Sequence, residues 1–374
     1  MKFKTIDEGF IAQHQSGSSA DIPGTARCVL TAKGELVGCC LLSRGLGRND
    51  MKQMIIRSQD GGKSWRKQGL LWPYLQDAYS IFGSISRAPD GECFFYGTRT
   101  KIETPGESFW SEATQGLKQN EIIWASSKDD GLTWTDPAVI PMPIPGSAEV
   151  AGAMCVTRNK IWLGSYAPYN TFDSALRVAR NQVVVVRSSD QGLSWSHTPM
   201  LRFDDVNTSA AETWVIELTD GRLLGTAWHL NPSRGTDYPN VYSLSLDKGL
   251  TWQPARSTGI MGQSAALAPL PDGRALFIYN QRKHGEVGVW LAAVKPTESD
   301  FGIEANEIIW KAQTGTQGGS SGLHTEWTDF SFGEPSITVL PDNILLAALW
   351  CNQPGGQGTY YVKLKMLNDE QADL

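Results

Sequence analysis

One eight-residue pattern, S-x-D-x-G-x-x-W, occurs four times in this chain: Ser58 to Trp65 (SQDGGKSW), Ser127 to Trp134 (SKDDGLTW), Ser188 to Trp195 (SSDQGLSW) and Ser245 to Trp252 (SLDKGLTW). Successive starts are 69, 61 and 57 residues apart, and each box follows a strand-like run such as QMIIR, EIIWA, QVVVVR or NVYSL. A repeat of this period constrains the fold strongly, because each unit is one supersecondary piece that must stack on its neighbours to bury its apolar face. Within the box, the Asp side chain can accept hydrogen bonds from backbone N–H groups of a turn. The Gly supplies a positive φ without steric penalty, and the Trp lays a large apolar face on the sheet. Each residue therefore has a job in a hairpin turn, and the box is read as a structural device rather than a ligand site.

A second repeat is interleaved with the first. Six inner-strand candidates end in turns bearing Gly or Asn: GTARCVLTAKGELVG, IFGSISRAPDGECFF, VAGAMCVTRNKIWLG, AAETWVIELTDGRLLG, MGQSAALAPLPDGRALF and FGEPSITVLPDNILLA. Six units in 374 residues leave about 60 each, enough for a four-stranded blade with its loops. The expected fold is all-β: a six-bladed β-propeller with four-stranded antiparallel blades, in which blades five and six have lost the box. The N-terminal run FKTIDEGFIA is expected to supply the strand that closes the last blade and removes a sheet edge. No linker marks a second domain, so residues 1–374 are read as one.

Composition narrows the function classes. Hydrophobic residues make up 41% and charged residues 19%, which suits a packed globular core. The net charge of −6 gives no basic footprint for nucleic acid or an anionic membrane. No apolar run approaches the ~20 residues of a membrane helix. The N-terminus, MKFKTIDEGFIAQHQ, has no apolar h-region, so a cytoplasmic location is expected. The six cysteines form no CxxC pair and are read as buried free thiols in a reducing compartment. The five scattered histidines have no metal-ligand spacing, so neither metal nor cofactor is called for.

Chain direction locates the working face. If each blade runs strand one, tight turn, strand two, long loop, strand three, boxed turn, strand four, both kinds of tight turn lie on one face. The inner-strand starts and the long loops then lie on the other, where binding is expected. Counting back nine residues from each inner-strand turn gives Thr25, Phe82, Ala151, Glu212, Ser264 and Glu334. A carboxylate among apolar residues at the start of a channel-lining strand is costly unless paired or functional, which singles out Glu212 and Glu334. Asp77 and Glu149 lie near the same face and also read as solvated loop residues. Trp228, Trp327 and Trp350 are candidates to stack on a sugar ring, with core packing as the alternative. His229 and His284 fall on the loops of this face.

Boxed turns on a six-fold strand repeat resemble the sialidase superfamily over nearly the whole chain. The resemblance implies the fold, and for function it implies hydrolysis of a glycan. Sialidases carry an acid/base aspartate on the first blade's loop, where this chain has Asp50 in SRGLGRNDMKQMIIRS. They pair a glutamate, matched here by Glu212, with a tyrosine nucleophile on the last inner strand, where this chain has Glu334 instead. Of the three arginines that clamp a sialic acid carboxylate, Arg27 lies two or three residues late and Arg282 matches the third. Trp228 and His229 stand in place of the second. Arg27 and Arg282 read equally as ion-pair partners of Glu212, Glu334 or Asp50, and Arg44, Arg48 or Arg234 as sources of a rebuilt clamp.

The resulting expectation is an exo-acting glycosidase with a carbohydrate partner. Glu334 is expected to act as nucleophile or base, Asp50 as proton donor and Glu212 as electrostatic partner, with Arg27, Arg282, Trp228 and His229 on the substrate. A neutral or differently charged terminal sugar is expected in place of a sialic acid. The alternative is a non-catalytic carbohydrate-binding or scaffolding propeller, which would lack a close carboxylate pair.

Overall fold

A computed structural model describes residues 1–15, 22–315 and 329–367; Trp327 lies outside them. The strands form six antiparallel blades and one small two-stranded sheet, Trp110–Ser111 with Gly116–Leu117. Blade one is Ile22–Leu30, Leu36–Ser43, Lys52–Ser58 and Arg66–Leu70. Blade two is Tyr79–Arg87, Cys93–Lys101, Asn120–Ser127 and Ala138–Ile140. Blades four and five begin with inner strands Ser209–Glu217 and Ala265–Pro269. Blade six runs Phe332–Leu340, Ile344–Gln353 and Gly356–Leu367, and its fourth strand is the N-terminal Lys2–Gln13. The expected closure by the N-terminal strand is thus present. Blade six also meets blade one at the centre, where the Ser336 hydroxyl donates to the Ala26 carbonyl at 2.6 Å.

Blade three departs from the sequence expectation. Its inner strand is split into Ser147–Glu149 and Cys155–Val156, with irregular backbone between them. The backbone there runs close to blade four: a Cβ on Gly152 would stand 2.4 Å from the Thr213 carbonyl.

The boxes behave as turns. Asp60 Oδ1 accepts from the backbone N–H groups of Lys63 and Ser64 at 3.0 and 2.9 Å and from the Ser58 hydroxyl at 2.8 Å. Asp129, Asp190 and Asp247 repeat the pattern. These bonds to the charged form hold the carboxyls below the usual range, to about 2 for Asp129, against the opposing effect of its desolvation. The box glycines sit at φ between 77 and 91; at Gly192 a Cβ would meet Trp124 at 2.6 Å. The residues just before three of these glycines, Asp130, Gln191 and Lys248, are also left-handed at φ 59 to 62, a feature the motif does not spell out. The box tryptophans pack against the apolar clusters of the blades. No box aspartate lines the central cavity.

Candidate active site

The inner-strand starts and long loops converge on one cavity of about 290 Å³. Aromatic side chains form much of its wall: Phe82, Phe109, Trp110, Tyr169, Trp228 and Trp350. Glu149, Glu212 and Glu334 also line it, each half-buried with part of its surface open to the cavity.

Local backbone aims two of these carboxyls. The ladder of blade four skips between Ala211 and Trp214, and that of blade six between Gly333 and Ser336. Each bulge carries its glutamate in the left-handed region, Glu212 at φ 54 and Glu334 at φ 44. For a residue with a long side chain this conformation costs of order 1–3 kcal/mol and tends to occur where function uses it, and bulges re-aim side chains at such places. Two blades store the same strain at the same position to point a carboxyl inward.

Glu149 joins them from the split inner strand of blade three. Its Oε2 accepts the backbone N–H of Glu212 at 3.1 Å. Sequence reading left it as a possible solvated residue; the signal for it is two extra residues of offset from the counted position Ala151, which only the broken strand explains.

Two arginines sit against this group. Arg27, 3% exposed, lies outside the cavity lining, behind Glu334. Its Nη1 donates to the Thr25 hydroxyl at 2.6 Å and to the Glu334 carbonyl at 2.8 Å. Arg282 lines the cavity, but its guanidinium donates to the Phe332 carbonyl through Nη2 at 2.7 Å and Nε at 3.3 Å. Nη1 bonds Gln263 at 3.0 Å. Its face lies 3.8 Å from the centroid of Phe330. With its amide oxygen turned inward, Asn280 accepts from both Arg282 Nη2 and the Glu334 N–H, each at 3.2 Å.

The electrostatics distinguish the three carboxyls. Desolvation raises all of them. For Glu334 the charges of Arg27 and then Arg282 oppose that rise. Glu212 is pushed up to about 8 by desolvation and the charge of Glu334, against Arg27 and Arg282. Desolvation and the charges of Glu212 and Glu334 drive Glu149 well above the carboxylate range, against the Glu212 N–H that it accepts, which favours its charged form. The two arginines thus favour the charged form of Glu334, while the neighbouring carboxylates disfavour that of Glu149.

Other expected site residues fall elsewhere. Asp50 is 8% exposed and does not line the cavity, although its neighbours Arg48 and Met51 do. Its Oδ1 accepts the Arg44 N–H at 3.3 Å and its Oδ2 lies 3.3 Å from Arg44 Nε. The preceding Asn49 is tied to blade two through the Lys101 carbonyl and the Glu107 carboxylate, which fixes the loop in this direction. His229 also lies outside the lining, stacked between Phe203 at 4.0 Å and Tyr238 at 4.6 Å. Burial lowers it to about 4. Asp77 is exposed and off the cavity, and Arg234 and His284 are off it too. Trp228 and Trp350 are on the wall. Among the described residues no group of three His, Cys, Asp or Glu is placed to hold a metal ion, and no helix is long and apolar enough to cross a membrane.

Comparison with known proteins agrees with the boxed turns. The model of the BNR repeat-like domain matches residues 10–243. This chain belongs to the BNR repeat-like domain family. No curated protein matches it in sequence. Among solved structures, a protein of unknown function from Dyadobacter fermentans DSM 18053 superposes with a TM-score of 0.75 at 18% identity, covering 98% of this chain and 99% of the other. The NanB sialidase of Streptococcus pneumoniae gives 0.62 at 14% identity, over 96% and 70%. The α-L-arabinanase of Penicillium chrysogenum, complexed with arabinobiose, gives 0.61 at 16%, over 96% and 98%. At these identities the likeness is one of fold, and it agrees with the six-bladed propeller that the strands of this BNR repeat-like chain build.

Proposed function

We propose that this chain is a glycoside hydrolase that removes a terminal, uncharged sugar. The observation that carries the proposal is the grouping of Glu149, Glu212 and Glu334 in one aromatic-walled cavity, with Arg27 and Arg282 set against them. Hydrolysis of a glycosidic bond needs one ionised carboxylate and one that holds a proton, and pairs of carboxyls driven apart in acidity mark those roles. Glu334, favoured by both arginines, supplies the carboxylate that attacks the anomeric carbon or activates water. Glu149, raised by desolvation and by its two carboxylate neighbours, keeps its proton and delivers it to the departing oxygen. Glu212 touches both, its backbone N–H donated to Glu149 and its carboxyl raised in part by the charge of Glu334. The proton donor expected at Asp50 is thereby assigned to Glu149.

An uncharged sugar follows from how the cations are engaged. A sugar carboxylate is best held by a free guanidinium fork. Here Arg282 is turned onto Phe332 and Gln263, and Arg27 lies behind Glu334. The other wall cations are tied as well: Arg48 Nη1 to the Gly106 carbonyl at 2.9 Å, Lys118 to Glu107 and Glu103 at 2.7 and 3.0 Å. A sialic acid carboxylate would also be repelled by an ionised Glu334. Of the sugars handled by the compared proteins, an uncharged one of the arabinobiose kind fits these walls better. The test is a panel of chromogenic neutral glycosides, arabinofuranosides included, beside a fluorogenic sialoside. Hydrolysis of a neutral member that falls by several orders of magnitude in Glu334→Gln is expected. Efficient sialoside cleavage would overturn the substrate assignment, and sugar binding without any turnover would favour a carbohydrate-binding propeller.

A further inference from the structure

The Asp237 carboxylate is fully enclosed, its side chain 0% exposed, yet it does not line the cavity. It sits on the short strand Thr236–Asp237, paired with the end of Leu223–Asn231 in the register Leu230 to Asp237. Oδ1 accepts the Trp228 indole N–H at 3.1 Å. Oδ2 lies 3.1 Å from His284 Nε2 and 3.5 Å from Lys283 Nζ. Both of those residues follow the second strand of blade five, Ala275–Gln281, beside Arg282. One buried carboxylate thus joins a wall residue of blade four to the loop of blade five.

The wall residue needs such an anchor. Trp228 packs with Ala211 and Leu230 in a small apolar cluster separate from the larger cores of the propeller. Core packing therefore does not by itself fix its ring. Ala211 is its register partner and immediately precedes Glu212, so any drift of the indole alters the cavity wall next to the reacting carboxyls. A buried carboxylate without partners would be strongly unfavourable; with three donors around it, it becomes a rigid joint.

We infer that Asp237 is a positioning residue that sets the Trp228 indole as the stacking wall for the apolar face of the sugar and locks that wall to the blade-five loop. The inference rests on the cavity taking a sugar, but its structural half is testable without one. Indole ¹⁵N–¹H spectra of the whole chain, with the Trp228 signal assigned by its loss in Trp228→Phe, report the bond directly. Asp237→Asn is near-isosteric but takes away the charge. It should move the Trp228 signal upfield and speed its solvent exchange while the other indole signals stay in place. With a neutral glycoside that the wild type cleaves, Asp237→Asn and Trp228→Phe should each raise KM about tenfold, the scale of one lost charge-assisted hydrogen bond. They should change kcat less, and the double variant should be no worse than the worse single one. An unmoved Trp228 signal in Asp237→Asn overturns the inference, as do KM effects that multiply in the double variant. A moved signal in a protein that cleaves no glycoside sustains the joint and sinks the hydrolase reading alone.

Discussion

Replacing Glu212 with Gln should make this protein lose less of its stability in alkali. The folded carboxyl holds its proton far more tightly than the unfolded one, titrating near 8 instead of 4.5. A group raised in this way contributes stability that is complete below about 4.5 and is lost as pH rises through about 8. At about 1.4 kcal/mol for each pH unit, the full loss between pH 4.5 and 8 is roughly 5 kcal/mol. Gln keeps the shape and has no proton to lose, so the variant lacks this part of the pH dependence. Unfolding 374 residues carries about 0.8 kcal/mol/K of entropy, so each kcal/mol moves Tm by about 1.3 °C. On heating at pH 5 and pH 9, the wild type should therefore lose up to about 6 °C more than Glu212→Gln on going to the higher pH. Differential scanning calorimetry of both proteins at both pH values measures this difference of differences, in which groups away from the Glu149, Glu212 and Glu334 cluster cancel. Equal pH sensitivity in the two proteins would refute the view that burial and the charge of Glu334 hold Glu212 protonated.

Two further outcomes follow from the same geometry. Glu149→Gln should slow hydrolysis of glycosides with poor leaving groups by several orders of magnitude but spare aryl glycosides whose leaving group needs no proton, as for loss of a general acid; equal losses on both would remove Glu149 from that role. Asp129→Ala should cost about 1 kcal/mol in denaturant unfolding, as other lost caps do, with kcat/KM unchanged, because its box lies away from the cavity.

The residues that sequence alone determined are those whose work is local. A box needs only eight consecutive residues to close its turn, so Ser58–Trp65 and its three copies announce the blades, and the counted spacing announces the strand starts at Glu212 and Glu334. The closing strand Lys2–Gln13 is legible for a similar reason, since an unpaired edge must be covered. What tertiary structure decided depends on approach between distant segments. Glu149 meets Glu212 across 63 residues, and Arg27 meets the Glu334 carbonyl across 307. No periodicity encodes those meetings, so Glu149 read as a loop residue and Arg27 as a substrate ligand. Asp50 is turned onto Arg44 by a loop that blade two holds, and Trp228 is aimed by an aspartate nine residues away on a hairpin no motif marks. Backbone strain was equally hidden: the left-handed Glu212 and Glu334 defy the local preference of glutamate. Only the packing of neighbouring blades can hold them there.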